Sequence, residues 1–259
     1  MLTVLQVILL GLVEGLTEFL PVSSTGHMIV ASALLQIPES EFLKTFTIFI
    51  QIGAIVAVLS VYWKKLLTSR AIFLRVCAAF VPTAIVGYVV YTFAKEYLLD
   101  NVVVVIWALL LGGIALIIFE KYQARREVVD MPNTATISFK QAVAIGFFQT
   151  LAIVPGVSRS AATIIGGLSL GISRATIVEF SFLLAVPTLV AAAGLDLIKG
   201  GLSFSGEQAG MLALGSVVAF VSALLAVRFL LQYIRTHSFV AFGIYRIVFA
   251  LVVAGILVY

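Results

Sequence analysis

Residues 14–30 read EGLTEFLPVSSTGHMIV, and this stretch decides how the first part of the chain folds. It places two glutamates, a proline, a run of hydroxyls and a histidine inside a segment that is otherwise apolar. Proline has no backbone N–H and breaks a helix where it stands. Pro21 therefore predicts two short helices separated by a break over residues 21–25, rather than one continuous helix.

The composition of the chain indicates a membrane protein. Of its 259 residues, 62% are hydrophobic and 11% are charged, and the mean hydropathy is +1.20. Soluble domains are about 45–50% apolar and about 25% charged. We predict an all-α integral membrane protein. A very apolar soluble protein is the alternative, and the long, repeated apolar runs with short charged loops between them disfavour it.

Six continuous apolar segments are long enough to cross a bilayer as helices. They lie near residues 43–63, 76–94, 101–119, 177–198, 208–231 and 240–258. Two further apolar segments, near 1–36 and 141–172, are interrupted at Pro21 and at Pro155. Irregular backbone at membrane depth is tolerated only where protein buries it or where it lines a wet cavity. We therefore predict two re-entrant helix–loop–helix hairpins in addition to six transmembrane helices.

The charged loops predict the orientation, because cytoplasmic loops are enriched in lysine and arginine. The loops after the first, third and fifth spans carry most of the basic residues: Lys64, Lys65, Arg70, Arg75, Lys121, Arg125, Arg126, Lys140 and Arg235. Both termini are then expected on the outer side. The first hairpin would enter from outside and the second from the cytoplasm.

The sequence also contains a weak internal repeat. A shift of 135 residues pairs Ser23 with Ser158. The same shift places Glu14 on Gln149. Each half would hold one hairpin and three spans, so the halves would have opposite orientations, with a site expected at the midplane where they meet. Chance similarity is the alternative, and the matched breaks disfavour it. The chain is then one membrane domain, 1–259, made of inverted repeats at about 1–120 and 141–259.

The two glutamates of the first break are candidates for chemistry. Glu14 and Glu18 are four residues apart and therefore share one face of the first half-helix. Carboxylates at membrane depth are costly, and such residues usually line a site or a pathway. The pair could bind a divalent cation, share a proton or act as a general base. A structural role, as a cap or in an ion pair with an arginine, is the alternative.

The hydroxyls of Ser23, Ser24 and Thr25 predict the start of the second half-helix, because hydroxyl side chains favour N-caps. The free N–H groups of a first helical turn bind anions. His27 lies in that turn, where a neutral imidazole could act as a base or a nucleophile. A buried histidine with purely structural hydrogen bonds is the alternative.

The second break, PGVSRSAAT at residues 155–163, supplies complementary groups. Ser158, Arg159 and Ser160 open another half-helix, and a guanidinium grips phosphate oxygens through paired hydrogen bonds. Two helix N-termini and an arginine around one point would bind a multiply charged anion, and we expect a phosphate or a diphosphate. Arg159 as a structural partner of a glutamate is the alternative.

Two further polar residues lie inside predicted spans. Gln51 and Arg246 are interpreted either as groups beside the site or its channel, or as helix–helix contacts. The basic residues form no single stripe, and the chain has no Walker pattern, no glycine-rich strand–helix turn and no zinc spacing. We therefore expect no nucleic-acid partner and no nucleotide-binding fold.

Two motifs of the chain, EGLTEFLPVSSTGH and PGVSRSAATI, resemble the signature motifs of the bacterial undecaprenyl-diphosphate phosphatases of the bacitracin-resistance type. FIQIGAIVAV and FSFLLAVPTL resemble further segments of that family, and the similarity spans essentially the full chain. The resemblance implies hydrolysis of undecaprenyl diphosphate to the monophosphate, which recycles the cell-wall lipid carrier and confers bacitracin resistance. It also implies a multi-pass protein of the bacterial inner membrane, with a site that faces the exterior.

The resemblance further implies a divalent cation, Mg²⁺ or Ca²⁺, and Glu14 and Glu18 are the metal ligands that we assign. The catalytic assignment comprises Glu14, Glu18, Ser24, His27 and Arg159, with either Ser24 or His27 as the nucleophile. The substrate-binding assignment comprises Ser23, Thr25, Ser158, Ser160 and Gln51.

A membrane transporter or flippase for a phosphorylated lipid or an anion is the alternative function, because inverted repeats with broken helices are typical of transporters. The serine, the histidine and the paired glutamates favour the enzyme, since transport alone does not need them. The expected partners are a prenyl diphosphate lipid and membrane lipid. The sequence leaves the oligomeric state open, with a homodimer among the possibilities.

Overall fold

The computed structural model describes residues 2–97, 101–123, 134–200 and 204–257. Met1, Arg125, Arg126 and Val258, to which some of the predictions above extend, lie outside these ranges. The described residues form helices and contain no β-strand. The α-helices are α1 (Val4–Glu18), α2 (Ser24–Leu34), α3 (Glu41–Thr68), α4 (Arg70–Tyr97), α5 (Val102–Gln123), α6 (Phe139–Thr150), α7 (Arg159–Ser169), α8 (Arg174–Gly200), α9 (Gly206–Tyr233) and α10 (Val240–Leu257).

Five of these helices, α3, α4, α5, α8 and α9, are long and apolar enough to cross a membrane. The sixth predicted span, α10, is also apolar but is shorter, with 18 residues. Large apolar side chains on the spans point outward, as Val89 on α4 and Leu225 on α9 do with exposures of 74% and 59%. The prediction of an all-α, multi-pass membrane protein is therefore confirmed.

The first hairpin consists of α1 and α2, which pack against each other. α1 begins at a capping box, in which Thr3 and Gln6 exchange side-chain and backbone hydrogen bonds. It ends at Glu18, before Pro21, and α2 begins at Ser24. The break therefore lies where the proline and the hydroxyls of the sequence predict it.

The second hairpin, α6 and α7, repeats the first in local detail. A capping box of Ser138 and Gln141 opens α6. The Gln141 side chain donates to the Leu170 carbonyl at 3.3 Å, across the hairpin. In the first hairpin, Gln6 donates to the Leu35 carbonyl at 3.2 Å. Both glutamines thus tie the start of one half-helix to the end of the other.

Glycines allow each hairpin to approach a long helix closely. A Cβ at Gly11 of α1 would lie 2.8 Å from the Gly215 carbonyl oxygen of α9. A Cβ at Gly146 of α6 would collide with the Ala79 carbonyl oxygen of α4. Small residues serve this purpose in membrane proteins, where close backbone packing drives helix association. These contacts hold both breaks inside the bundle.

Candidate functional site

The two breaks are joined directly by Ser160. Its hydroxyl is fully buried and donates to the Phe19 carbonyl of the first break at 2.9 Å. Ser160 was predicted to bind substrate, but it does not line the cavity described below. Its position links the first turn of α7 to the end of α1.

Arg246 joins the breaks a second time. Its side chain is fully buried in α10, and all five of its N–H groups donate to backbone carbonyls. The acceptors are Pro21 in the first break, Gly156 and Val157 in the second, and Ala108 and Leu109 on α5. Of the two interpretations given above, the structure matches a contact between elements, because no N–H is left for a ligand.

Replacing Arg246 by methionine is expected to lower the thermal stability of the purified protein strongly. Five carbonyls would lose a charged donor, and each hydrogen bond to a charged group contributes about 1.5–3 kcal/mol. Thermal unfolding in detergent measures the change. Arg228→Met, at an exposed position of α9, is the control. Equal melting temperatures for the two variants would show that Arg246 does not hold the breaks together.

A cavity of about 490 Å³ opens where the breaks meet α3, α4 and α8. Seven of the predicted site residues line it: Glu18, Ser23, Ser24, Thr25, Gln51, Ser158 and Arg159. The rest of its wall is largely apolar and includes Phe80, Ala84, Leu189 and Leu195. The cavity therefore has a polar end, made by the two breaks, and an apolar body between the long helices.

Ser24, Glu18 and Arg159 form a continuous chain of contacts at the polar end. The Ser24 hydroxyl donates to Oε2 of Glu18 at 2.5 Å. The other oxygen of that carboxylate, Oε1, pairs with Arg159 at 2.8 Å. A serine bonded to a carboxylate can lose its proton to it, which is the arrangement of an activated nucleophile.

The Arg159 side chain is held on three sides. It donates to Glu18 and, at 3.0 Å, to the Ser181 carbonyl, and its guanidinium lies over the Phe19 ring at 5.5 Å. Its Nε is buried and has no hydrogen-bond partner in the protein. A fixed guanidinium with a free donor beside a nucleophile can bind a phosphoryl oxygen.

The second half-helix of each hairpin, α2 or α7, follows a serine whose φ angle is in the left-handed region. Ser23 has φ 74° and Ser158 has φ 73°. Their hydroxyls accept from the N–H groups of Gly26 and Ala161, at 3.4 and 3.2 Å. Such conformations are costly for residues other than glycine and cluster at functional sites. The remaining N–H groups of each first turn have no partner within the helix and favour an anion.

Glu14 lies behind this constellation. It is 1% exposed, does not line the cavity, and has Glu18 and Arg159 as electrostatic neighbours. Its Oε1 has no hydrogen-bond partner. The described residues contain no cluster of three His, Cys, Asp or Glu that could hold a metal. Mg²⁺, however, is commonly bound by one or two carboxylates together with substrate phosphate and water, so the free oxygen beside Glu18 fits such an ion.

His27 is placed outside the cavity. Its Nδ1 donates to the Ser23 carbonyl at 2.7 Å, and its Nε2 lies 2.7 Å from the Tyr245 hydroxyl. Because a carbonyl only accepts, Nδ1 carries a proton, and in the neutral imidazole Nε2 then accepts from the tyrosine hydroxyl. The ring also stacks on Phe249 at 4.0 Å. Both ring nitrogens are thus used in holding the break.

The sequence does not identify three residues of the cavity wall that are hydrogen-bonded to one another: Thr83, Gln149 and Thr188. Gln149 has a signal in the sequence, since the repeat places it on Glu14. The two threonines have none, because hydroxyls in apolar spans usually bond to their own helix.

Buried polar atoms without partners concentrate at this site. In the described part of the chain there are four such side-chain atoms. Three belong to Glu14, Gln149 and Arg159, around the cavity, and the fourth to Ser216. Since buried polar groups are normally satisfied by protein or by water, these atoms are candidates for contacts with a ligand or with water.

Comparison with known proteins gives one consistent result. The family model described as bacitracin resistance protein BacA matches residues 7–252. A protein of Aquifex aeolicus named undecaprenyl-diphosphatase is 43% identical over 96% of this chain and 97% of its own length. Proteins with the same name from a Sulfurihydrogenibium species and from Wolinella succinogenes are 47% and 45% identical, over 95% and 96% of this chain and 96% of their own lengths.

Proposed function

We propose that this chain, which belongs to the bacitracin resistance protein BacA family, hydrolyses undecaprenyl diphosphate to undecaprenyl phosphate and inorganic phosphate. The observation that carries the proposal is the contact chain from Ser24 through Glu18 to Arg159, at the polar end of a cavity with an apolar body. Relatives named undecaprenyl-diphosphatase support the choice of substrate.

In this proposal Ser24 is the nucleophile. Its Oγ attacks the terminal phosphorus, and its proton passes to Glu18, which it already contacts. The bond from that phosphorus to the bridging oxygen breaks, and undecaprenyl phosphate leaves with the electron pair. The products of this step are a phosphoserine and a protonated Glu18, so atoms and charge balance.

Arg159 and the two helix N-termini stabilise the charge of the transferring group. The guanidinium has a buried Nε without a partner, and the first turns of α2 and α7 present N–H groups to the same end of the cavity. Such fixed donors cost no reorganisation during the reaction, and removal of one typically lowers kcat by about 10²–10³.

The prenyl chain would follow the apolar body of the cavity. Ala84 and Leu195 face it from α4 and α8, and a side chain added at Gly87 would meet no atom within 4 Å. A diphosphate at the breaks and a hydrocarbon chain between long helices match the two chemistries of the substrate. Membrane lipid surrounds the bundle, and a homodimer stays a prediction.

A divalent cation would be held by Glu14 and Glu18, where the free carboxylate oxygen of Glu14 lies. When bound, it would neutralise diphosphate charge. We expect a chelator to lower turnover of the wild-type protein, with Mg²⁺ or Ca²⁺ restoring it. Glu14→Gln should raise the metal concentration needed for half-maximal activity by about 10-fold or more. Turnover that is indifferent to chelator would remove the cation from the proposal.

The location follows from the same premise. We propose that the protein lies in the bacterial inner membrane with its site facing the exterior, where it recycles the cell-wall lipid carrier and confers bacitracin resistance. The charged loops of the sequence support the placement of both termini on the outer side, and the family resemblance implies that the site faces outward. We also propose that the two hairpins are re-entrant, and that the two halves of the chain have opposite orientations in the membrane.

Release of inorganic phosphate from undecaprenyl diphosphate by the purified, detergent-solubilised protein tests the function. We expect one phosphate per substrate, with undecaprenyl monophosphate as the lipid product. A protein that moves the lipid across proteoliposomes but releases no phosphate would be the transporter or flippase instead.

His27→Asn tests the second candidate nucleophile. The asparagine amide can still donate to the Ser23 carbonyl, as Nδ1 of the histidine does. Because we assign His27 to holding the break, kcat is expected to stay within about 10-fold of wild type, with a lowered melting temperature. Trapping of an acid-labile phosphohistidine in the wild-type protein would instead make the histidine the nucleophile.

A further inference from the structure

Gln149 lies on α6 in the cavity wall and has no role in the reaction step described above. It is 1% exposed. Its Nε2 donates to two threonine hydroxyls that also line the cavity, Thr83 at 2.7 Å and Thr188 at 3.1 Å. A side-chain amide is therefore anchored between α4 and α8.

The hydrogen bonds around this amide determine which atom is free. Thr83 donates its own hydroxyl hydrogen to the Gly146 carbonyl at 3.0 Å, and Thr188 donates to the Leu184 carbonyl at 2.8 Å. Both threonine oxygens can then only accept, so they must face the NH₂ group of Gln149. The Oε1 atom is left over, and it is buried without a partner.

A buried acceptor without a partner costs about 1–3 kcal/mol, and a ligand that donates a hydrogen bond removes this cost. Ionised diphosphate oxygens have no hydrogen to donate. Water does, and the reaction proposed above needs a water molecule after the prenyl phosphate has left. The chemistry of the free Oε1 of Gln149 therefore matches the second substrate of the reaction.

We propose that Gln149 binds and orients the water molecule that cleaves the phosphoserine on Ser24. The proposal rests on the proposed function. The water donates one hydrogen bond to Oε1 of Gln149 and directs a lone pair at the phosphorus. Gln149 takes no proton, and its effect comes from orientation, to which displacement at phosphorus is sensitive.

The second step balances with the groups that the site and the substrates supply. The oxygen of the water bonds to phosphorus while the bond from phosphorus to Ser24 Oγ breaks. Glu18 returns to Oγ the proton that it took in the first step. Both hydrogens of the water stay on the product, which leaves as dihydrogen phosphate, and the serine and the carboxylate are restored.

The test is Gln149→Met, which keeps the side-chain length and removes the acceptor. Rapid mixing with undecaprenyl diphosphate should show a burst of undecaprenyl phosphate close to one per protein. Slow phosphate release should follow, with kcat lowered by about 10²-fold. Mass spectrometry of the quenched protein should find phosphate on Ser24. Gln141→Met, on the same helix but outside the cavity wall, is the control and should show neither burst nor phosphoserine.

A second variant separates this role from a loss of folding. Thr83→Val with Thr188→Val keeps Gln149 but releases its amide, so the same burst and phosphoserine are expected in smaller amount. Melting temperatures in detergent identify any variant that does not fold. Because the double variant leaves Gln149 in place, it still gives a result if Gln149→Met does not fold.

The outcomes distinguish this inference from the proposed function. No phosphate release by the wild-type protein would overturn the function itself. An active wild type whose Gln149→Met variant turns over normally, or slows without phosphoserine and without a burst, would overturn only the role of Gln149. If Gln149→Met does not fold, a folded double variant without burst and phosphoserine overturns it too.

Discussion

Ser24→Ala is expected to lower kcat for phosphate release by about 10³-fold or more, the range seen when a nucleophile is removed from a preorganised site. Alanine deletes the hydroxyl that donates to Glu18 at 2.5 Å, and with it the oxygen that would bond to phosphorus. The ion pair of Glu18 with Arg159 would remain, so substrate should still bind. The effect should therefore appear in kcat far more than in KM.

The measurement is steady-state phosphate release together with substrate binding by the inactive variant. Ser60→Ala is the control, because Ser60 lies at an exposed position of α3 away from the cavity wall, and its hydroxyl donates to the Ala57 carbonyl of its own helix. We expect the control to keep wild-type turnover. If Ser24→Ala retained most of its activity while His27→Asn lost it, the nucleophile would be the histidine.

The fold was largely predictable because the signals that set it are local. Apolar runs of the length of a bilayer gave the spans, and Pro21 with the following hydroxyls gave the break between α1 and α2. The last span is the shortest, since α10 has 18 residues and the other five spans have 22 to 28. The length and the composition of a segment decide these features, and neither depends on contacts with distant parts of the chain.

The site was predictable only in its composition. The sequence gathers Glu18, Ser24 and Arg159 into two breaks, and the structure brings them into contact. The sequence does not reveal the direction in which each side chain points. His27 lies in the first turn of α2, yet its ring points to Tyr245 rather than to the cavity. Which face of a short helix meets the cavity depends on packing against distant helices.

Arg246 shows the same limit more sharply. A single arginine in an apolar span reads equally well as a ligand group or as a contact between helices. Only the positions of five carbonyls from three separate elements decide between these. Gln149 differs from Arg246, because its hydrogen bonds leave its Oε1 atom without a partner. No sequence pattern distinguishes such an atom from one that has a hydrogen-bond partner.

Arg159→Lys is expected to lower kcat by about 10²–10³-fold while the protein stays folded. Lysine keeps the positive charge beside Glu18, so the buried carboxylate is not left alone. It cannot at once reach Glu18, donate to the Ser181 carbonyl and offer the donor that Nε of the arginine provides. The loss should thus fall on the transferring phosphoryl group, whose oxygens need a donor in a fixed direction.

Arg174→Lys is the matched control for this change. Arg174 also pairs with a glutamate, donating to both oxygens of Glu120 at 3.1 and 2.6 Å, but it does not line the cavity. The same chemical substitution should there affect melting temperature and leave kcat close to wild type. Parallel losses of kcat in both variants would mean that Arg159 serves the fold rather than the phosphate. A selective loss at Arg159, with KM little changed, is what stabilisation of the transition state requires.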